Sequence, residues 1–509
     1  MCCHCLNRRE FITLTSGAIA TLGMVRAAGA VGSNNWPSDR WDPDRPFLHP
    51  GKALRVQPIL MYSTPQRREK TSWKSWGGVQ TEQAANEEVA RITGELETLQ
   101  KEMVCPLDIR PVIKTKSPEQ IQNLDRSQFD VAVVYPATGS GNLLKACCAG
   151  NDSTLIFLRH RSGPVYYWYE GLSVRYLSTD KEREDDPALG DISVHDVVVD
   201  DTQELAAKLR GLYGVKNLLG TKIVALGGPW GKYAADAPQL AKENFGIEII
   251  DVPYSDIEPR IQSLLADPSA VSKAERWTDR FLSLPGTELK TERNYVVNAF
   301  LLYGLMRDLM EENECSAFTI KDCMSTIMPM ADTTACLTLG LLNDEGLLAF
   351  CESDFVIIPA GILLRHISGK PVFLHNSTFP HKAMVTCAHC ASPRRFDGDR
   401  YEPTEIVTHY ESEFGASPKV AMPIGQQLTF IDPEYTRGRW LGFRGTVEEN
   451  PFYEICRSQQ DVRIEGDWKK LLDEARDSHW MMAYGDHLAE VGYAARKLGV
   501  EWENITGEA

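Results

Sequence analysis

Residues 129–139 read FDVAVVYPATG, a short apolar run with β-branched residues that ends in a Gly-containing turn. A strand buried on both faces of a parallel sheet has this pattern, and the turn then feeds the next crossover. The flanking sequence agrees. Upstream, ALRVQPILMY (53–62) reads as a strand, EQAANEEVARITGELETLQKEM (82–103) as a long amphipathic helix and DIRPVIKT (108–115) as a second strand; downstream, STLIFLRHR (153–161) reads as a further strand. Strands alternating with helices predict a parallel sheet covered on both sides.

A charged, Pro-containing stretch, DKEREDDPALG (180–190), is expected to link this unit to a second one. There TQELAAKLRGLYGV (202–215) is helical, TKIVALGG (221–228) a strand, APQLAKENFG (237–246) a helix and IEIIDVPYSD (247–256) a strand. Residues 290–313 add a helix. Beyond it EIVTHYES (405–412) and AMPIGQQLTFID (421–432) suggest antiparallel strands. At 509 residues the chain is too long for one core. The predicted fold class is therefore α/β, with doubly wound parallel-sheet domains at 53–185 and 186–314 followed by a mixed α+β C-terminal domain at 315–509.

The composition, 43% hydrophobic and 24% charged, is that of a globular chain, and no apolar run in its body is long enough to span a bilayer. A formal charge of −16 without a basic patch argues against nucleic acid or an anionic membrane surface as partner. Near the start, paired Arg8-Arg9, an apolar stretch from Phe11 to Val25 and the small residues Ala28-Gly29-Ala30 resemble a twin-arginine export signal. An amphipathic first helix is the alternative. Cleavage after residue 30 would remove three Arg and one Glu, leaving 51 basic against 69 acidic side chains, or −18. The segment 31–52 reads as an irregular lead-in. The export reading implies a periplasmic or extracellular protein and the twin-arginine translocase as a transient partner. Of thirteen cysteines, Cys2, Cys3 and Cys5 lie in the signal; the scattered remainder read as buried thiols, and the lone pair Cys387/Cys390 does not make a zinc site.

Chemistry concentrates in NDEGLLAFCESD (343–354), where acids precede a long apolar run from Phe355 to Ile367 that reads as a buried helix, with VFLHN (372–376) as the next strand. Glu352, Ser353 and Asp354 are placed at that helix's N-terminus, where acids cap free backbone N–H groups. A capping role and a catalytic role both remain open on these residues alone.

The motifs ACLTLGLLNDEGLLAFCESDF (335–355), GKPVFLHN (369–376), HCASP (389–393) and SHWMMAYGDHLAEVGYAARKLGVE (478–501), in this order, resemble the C-terminal domain of the L-fucose isomerase-like sugar isomerases. The resemblance covers roughly residues 315–505. It implies a divalent metal, usually Mn²⁺, held by an upstream Glu, by Asp354 of the Cys-Glu-x-Asp step and by the closing His479, with Glu352 as third ligand or acid/base. Such a metal would chelate two adjacent sugar oxygens while a carboxylate moves the C2 proton to C1 through an ene-diol. His389, Trp480 and Asn376 are expected to contact the substrate, and a trimer or hexamer is implied by analogy. One departure stands out: the family's upstream segment, Cys-Trp-x-Glu-like, is expected to begin 29 residues before Glu352, where Cys323 stands, but here it reads CMST and puts Thr326 where the ligand Glu belongs. Either Asp322 or Glu352 replaces that ligand, or the catalytic pair is lost.

His479 alone could be a core histidine bonded to backbone. Asp486 is expected to cap a helix that buries Leu488, Val491, Ala494 and Leu498, which leaves His487 facing solvent. GGPWGKY (227–233) and YPATGSGN (135–142) each end a strand and read either as connections or as amide cradles for a hydroxyl or phosphate; Arg159-His160-Arg161 reads as a solvated loop or as a contact to sugar or subunit. The expected function is a metal-dependent aldose–ketose isomerase acting on a small carbohydrate. The alternatives are an extracytoplasmic carbohydrate-binding protein on the same scaffold and a lyase or epimerase using the same metal-bound ene-diol.

Overall fold

In the computed structural model, which describes residues 40–168, 172, 177, 192–434 and 438–507, the stretch 129–139 supplies β4 (Val131–Pro136), every residue of it buried. It pairs in parallel with β1 (Leu54–Met61) and β5 (Thr154–Leu158). The expected single strand at 108–115 is two, β2 (Leu107–Ile109) and β3 (Ile113–Thr115), pairing with successive halves of β1. Pro111 falls in the break, and a residue without an N–H cannot continue a ladder. Helix Glu82–Glu102 covers this sheet; Thr81 caps it by accepting from the Ala84 N–H, and Ala85, Ile92, Leu96 and Leu99 form its buried face.

That face also carries Glu88, 1% exposed. Its partner is Arg159, which is buried rather than solvated: the guanidinium pairs with Glu88, with Glu95 at 2.7 Å and with the Tyr166 hydroxyl at 3.3 Å. Arg159 thus ties a strand end to the covering helix, because a buried charge needs partners on every donor. The backbone N–H groups of His160 and Arg161 are held by Asp200.

The sheet closes on β6 (Val197–Val199), beyond the boundary expected at 185. The stretch 180–190 and the export signal lie outside the described residues. A second parallel sheet has the order β11-β10-β7-β8, built from β7 (Lys222–Leu226), β8 (Glu248–Val252), β10 (Ala317–Ile320) and β11 (Leu348–Cys351). Its last two strands follow the boundary expected at 314, so that division cuts through one sheet, and the helix Arg293–Glu312 is part of the crossover from β8 to β10. Between β8 and that helix, β9 (Thr287–Leu289) leaves for a small sheet with β14 (Thr404–Val407) and β15 (Ser417–Val420).

The rest of the chain forms an antiparallel barrel. In it β12 (Phe373–Ser377), β13 (Met384–His389), β18 (Ser458–Ile464), β17 (Arg439–Glu449), β16 (Gln427–Glu434) and β19 (His479–Tyr484) follow one another, and the β19–β12 pairing closes the ring. The last strand, β20 (Glu501–Asn504), adds to β17 in parallel. Helix Ile358–Ser368 is buried along its whole length. It packs against helix Thr202–Leu218, where a Cβ on Gly214 would lie 2.6 Å from Ile367. Among the described residues no helix is long and apolar enough to cross a membrane.

Candidate functional site

The acid-rich stretch does not cap a helix directly. LAFC is β11, so Glu352 and Asp354 stand in the loop leaving the carboxyl end of a parallel strand, and the helix begins only at Ile358. Such ends, opening outward from an α/β sheet, are where ligands bind. On sequence alone the acids fall at the helix N-terminus because the helical run from Phe355 follows them directly, and LAFC is assigned no element.

A second loop meets this one. Gly227 and Gly228, at φ +80° and +88°, turn the chain sharply after β7. Trp230 then pairs with the 352–355 loop as a strand would: its N–H donates to the Ser353 carbonyl at 3.1 Å and its carbonyl accepts from Phe355 at 2.9 Å. The zipped loops hold Glu352 and Ser353 in left-handed backbone, at φ +65° and +50°, a conformation that disfavours side-chain-bearing residues by about 1–2 kcal/mol each. Strain kept at a loop tip that carries a carboxylate is a mark of a working site.

Asp354 is fully buried. Its Oδ1 accepts from the backbone N–H groups of Lys232 (2.9 Å) and Val356 (3.1 Å), and its Oδ2 meets His479 Nδ1 at 2.7 Å. His479 opens β19 and is equally buried. A carboxylate only accepts, so Nδ1 carries the proton and, in the neutral ring, Nε2 is left as acceptor. Facing that nitrogen are Lys232 Nζ at 2.9 Å and the Glu352 carboxylate at 3.4 Å. Glu352 also reaches His389 Nε2 at 3.3 Å, and Lys232 Nζ lies 3.5 Å from Asn376 Oδ1. Asn376 pairs with His479 across β12 and β19, while His389 ends β13. The barrel rim thus presents Asn376, His389 and His479 to the two strand-end loops that carry Lys232, Glu352 and Asp354.

Glu352 is open to solutes, its side chain 37% exposed against 0% for Asp354 and His479, and Lys232 and Asn376 are half-buried. Burial pushes the Glu352 carboxyl up, but the hydrogen bond and charge of His389, with His479 and Lys232 behind them, outweigh it and hold the group at about 2. It is ionised at any physiological pH.

Trp480 does not join the cluster. Its neighbour His479 points out of the barrel, and alternation along β19 turns Trp480 inward, where it packs on His375 and Phe443 and donates to the Asp477 carbonyl at 3.0 Å. Substrate contact by Trp480 is therefore corrected to a core role. Asp486 accepts from the Leu488 N–H and pairs with Arg444, but His487 is half-buried rather than solvent-facing, its ring against the Tyr484 carbonyl.

The donors are not arranged to fit the Mn²⁺ that the resemblance implies. Both Asp354 oxygens are engaged by hydrogen bonds, and the free nitrogen of His479 faces an ammonium group. A divalent ion about 4 Å from that ammonium would be repelled by ~8 kcal/mol at an effective dielectric of 20. Among the described residues no three His, Cys, Asp or Glu side chains are placed to hold a metal ion. Nor does Asp322 replace the missing ligand: its carboxylate is 58% exposed and pairs with Lys321, and the Thr326 hydroxyl reaches only Ser325. The residue that sequence reasoning missed is Lys232. Its signal was GGPWGKY at a parallel strand end, read there for its backbone amides and not for its lysine.

Elsewhere, a cleft of about 470 Å³ lies between helices Glu82–Glu102 and Thr202–Leu218. Its lining includes Arg91, Glu95, Glu102 and Arg210 but none of the residues of the Glu352 cluster. Two comparisons with known proteins add nothing to this geometry. No family model matches the chain, and no curated protein matches it. The ten cysteines among the described residues are free thiols, most of them buried.

Proposed function

We propose that the protein is an isomerase-class enzyme that moves a proton between adjacent carbons of a small carbohydrate bearing a carbonyl beside a hydroxyl. The observation that carries this reading is the Glu352 carboxylate, solvent-accessible, 3.3 Å from His389 Nε2 and 3.4 Å from His479 Nε2. A carboxylate between two imidazoles can take a carbon-bound proton and pass it on, and the imidazoles can return it to the neighbouring carbon or oxygen. Asp354 orients His479, and Asn376 supplies an amide for a sugar hydroxyl. The carbonyl end of the substrate lies toward Lys232. The acidic chain and the motif resemblance support a neutral sugar, and the twin-arginine-like start supports export in folded form.

The test is proton exchange. The purified full chain, incubated in D₂O with a panel of pentoses, deoxyhexoses and acidic sugars, incorporates deuterium at the carbon next to the carbonyl and yields ketose from aldose. Glu352→Gln lowers that exchange on the order of 10²–10⁴-fold. Sugar binding without exchange in the wild type would mean a carbohydrate-binding protein instead.

A further inference from the structure

We propose that Lys232 is a catalytic residue whose ammonium group holds the substrate's carbonyl oxygen and balances the negative charge that forms on it, so that the site works with a built-in cation instead of a divalent metal. This rests on the proton-transfer reading above. Three observations carry it.

The first is how firmly the residue is rooted. The Lys232 N–H donates to buried Asp354 at 2.9 Å, and the flanking loop is zipped onto the 353–355 backbone through Trp230. A long flexible side chain becomes a usable catalytic group only when its base is fixed, because the geometry must hold within fractions of an ångström. The second is where the amine ends. It sits 2.9 Å from His479 Nε2 and 3.5 Å from Asn376 Oδ1. An ammonium group has three N–H donors; these two acceptors take two and leave the third for a ligand. The third is charge. Asp354 and Glu352 bring two carboxylates to the site, and Lys232 is the cation in contact with the same histidine. Any metal serving this site would have to share that histidine nitrogen with it.

The step balances within the substrate. Glu352 removes the proton from the carbon beside the carbonyl, and the released electron pair forms the carbon–carbon double bond. The carbonyl electrons move to oxygen, where the free Lys232 N–H holds the oxyanion. A proton shared from the ammonium completes the ene-diol. Collapse from the other hydroxyl, with proton return to the former carbonyl carbon, regenerates the amine's proton and gives the isomer. One carbon is oxidised and its neighbour reduced, with no external reagent.

The experiment combines metal content with exchange. Purified wild type is assayed for bound metal by mass spectrometry and titrated with Mn²⁺ followed by electron paramagnetic resonance, and deuterium exchange is measured with and without EDTA. The expected result is no stoichiometric metal, no tight Mn²⁺ site and exchange that survives EDTA. Lys232→Met should lower exchange on the order of 10²–10³-fold, while Lys232→Arg, which keeps the charge, retains a measurable part. Thermal unfolding of both variants separates lost chemistry from lost folding, and a folded Lys232→Met with wild-type exchange overturns the proposal. So does one Mn²⁺ per wild-type chain, or exchange that EDTA abolishes and Mn²⁺ restores; these outcomes leave the isomerase reading standing. Absence of exchange with every sugar overturns both.

Discussion

Asp354 and His479, 125 positions apart in the chain, are joined by a 2.7 Å hydrogen bond between two side chains that are both fully buried. The bond connects a loop of the second parallel sheet to the first residue of β19 in the barrel, so it is at once a structural tie and the device that sets the imidazole's tautomer. Asp354→Ala would strand two backbone N–H groups and a ring nitrogen without acceptors, and urea unfolding should show a loss of about 3–5 kcal/mol. Asp354→Asn keeps an oxygen for the backbone but presents an amide N–H to the ring. That reverses the tautomer and puts a proton between His479 Nε2 and Lys232. Deuterium exchange should fall on the order of 10²–10⁴-fold in a protein that still folds.

Ser353 offers the opposite trade. It holds φ at +50°, and its fully buried hydroxyl has no hydrogen-bond partner. Ser353→Gly relieves the backbone and removes the orphan oxygen, and after the extra chain entropy of glycine is subtracted the protein should gain about 1 kcal/mol in denaturant unfolding. A loss of stability would show that the backbone there is not strained.

His375 makes acid sensitivity measurable at one residue. It sits among Phe373, Phe430 and Trp480 with no ring-nitrogen hydrogen bond of normal geometry. Burial pushes it down to about 3, only partly offset by the Phe373 backbone. The unfolded chain takes up this proton near pH 6.5 and the folded one only near 3, so the stability associated with the neutral ring is present above 6.5 and is lost as pH falls toward 3. Relative to His375→Phe, the wild type should lose up to ~1.4 kcal/mol per pH unit across that window. Parallel unfolding curves at every pH would refute this.

Trp480 separates packing from chemistry. With its ring 1% exposed inside the barrel, Trp480→Ala should lower stability by about 3–5 kcal/mol. The KM for any sugar the enzyme turns over should be unchanged, measured at a temperature where the variant is folded. A raised KM with normal unfolding would return Trp480 to the substrate.

The amino-acid sequence by itself determined the parallel strands and their crossover helices, because period and composition are local properties: β1, β4, β5, β7 and β8 and the helices Glu82–Glu102 and Thr202–Leu218 follow directly from them. The motif resemblance singled out Glu352, Asp354, Asn376, His389 and His479 together with Trp480, which the structure keeps in the barrel core. What only the tertiary structure decided is what joins that set. The barrel closes through pairings between strands far apart in the chain, which no local period encodes. The strand LAFC went unassigned because four buried residues carry no period that marks a strand. Trp480 faces inward because β19 starts at His479, and a shift of one residue would exchange their faces. Lys232 enters because a glycine turn after β7 meets the turn after β11, a contact made by backbone pairing between loops more than a hundred residues apart.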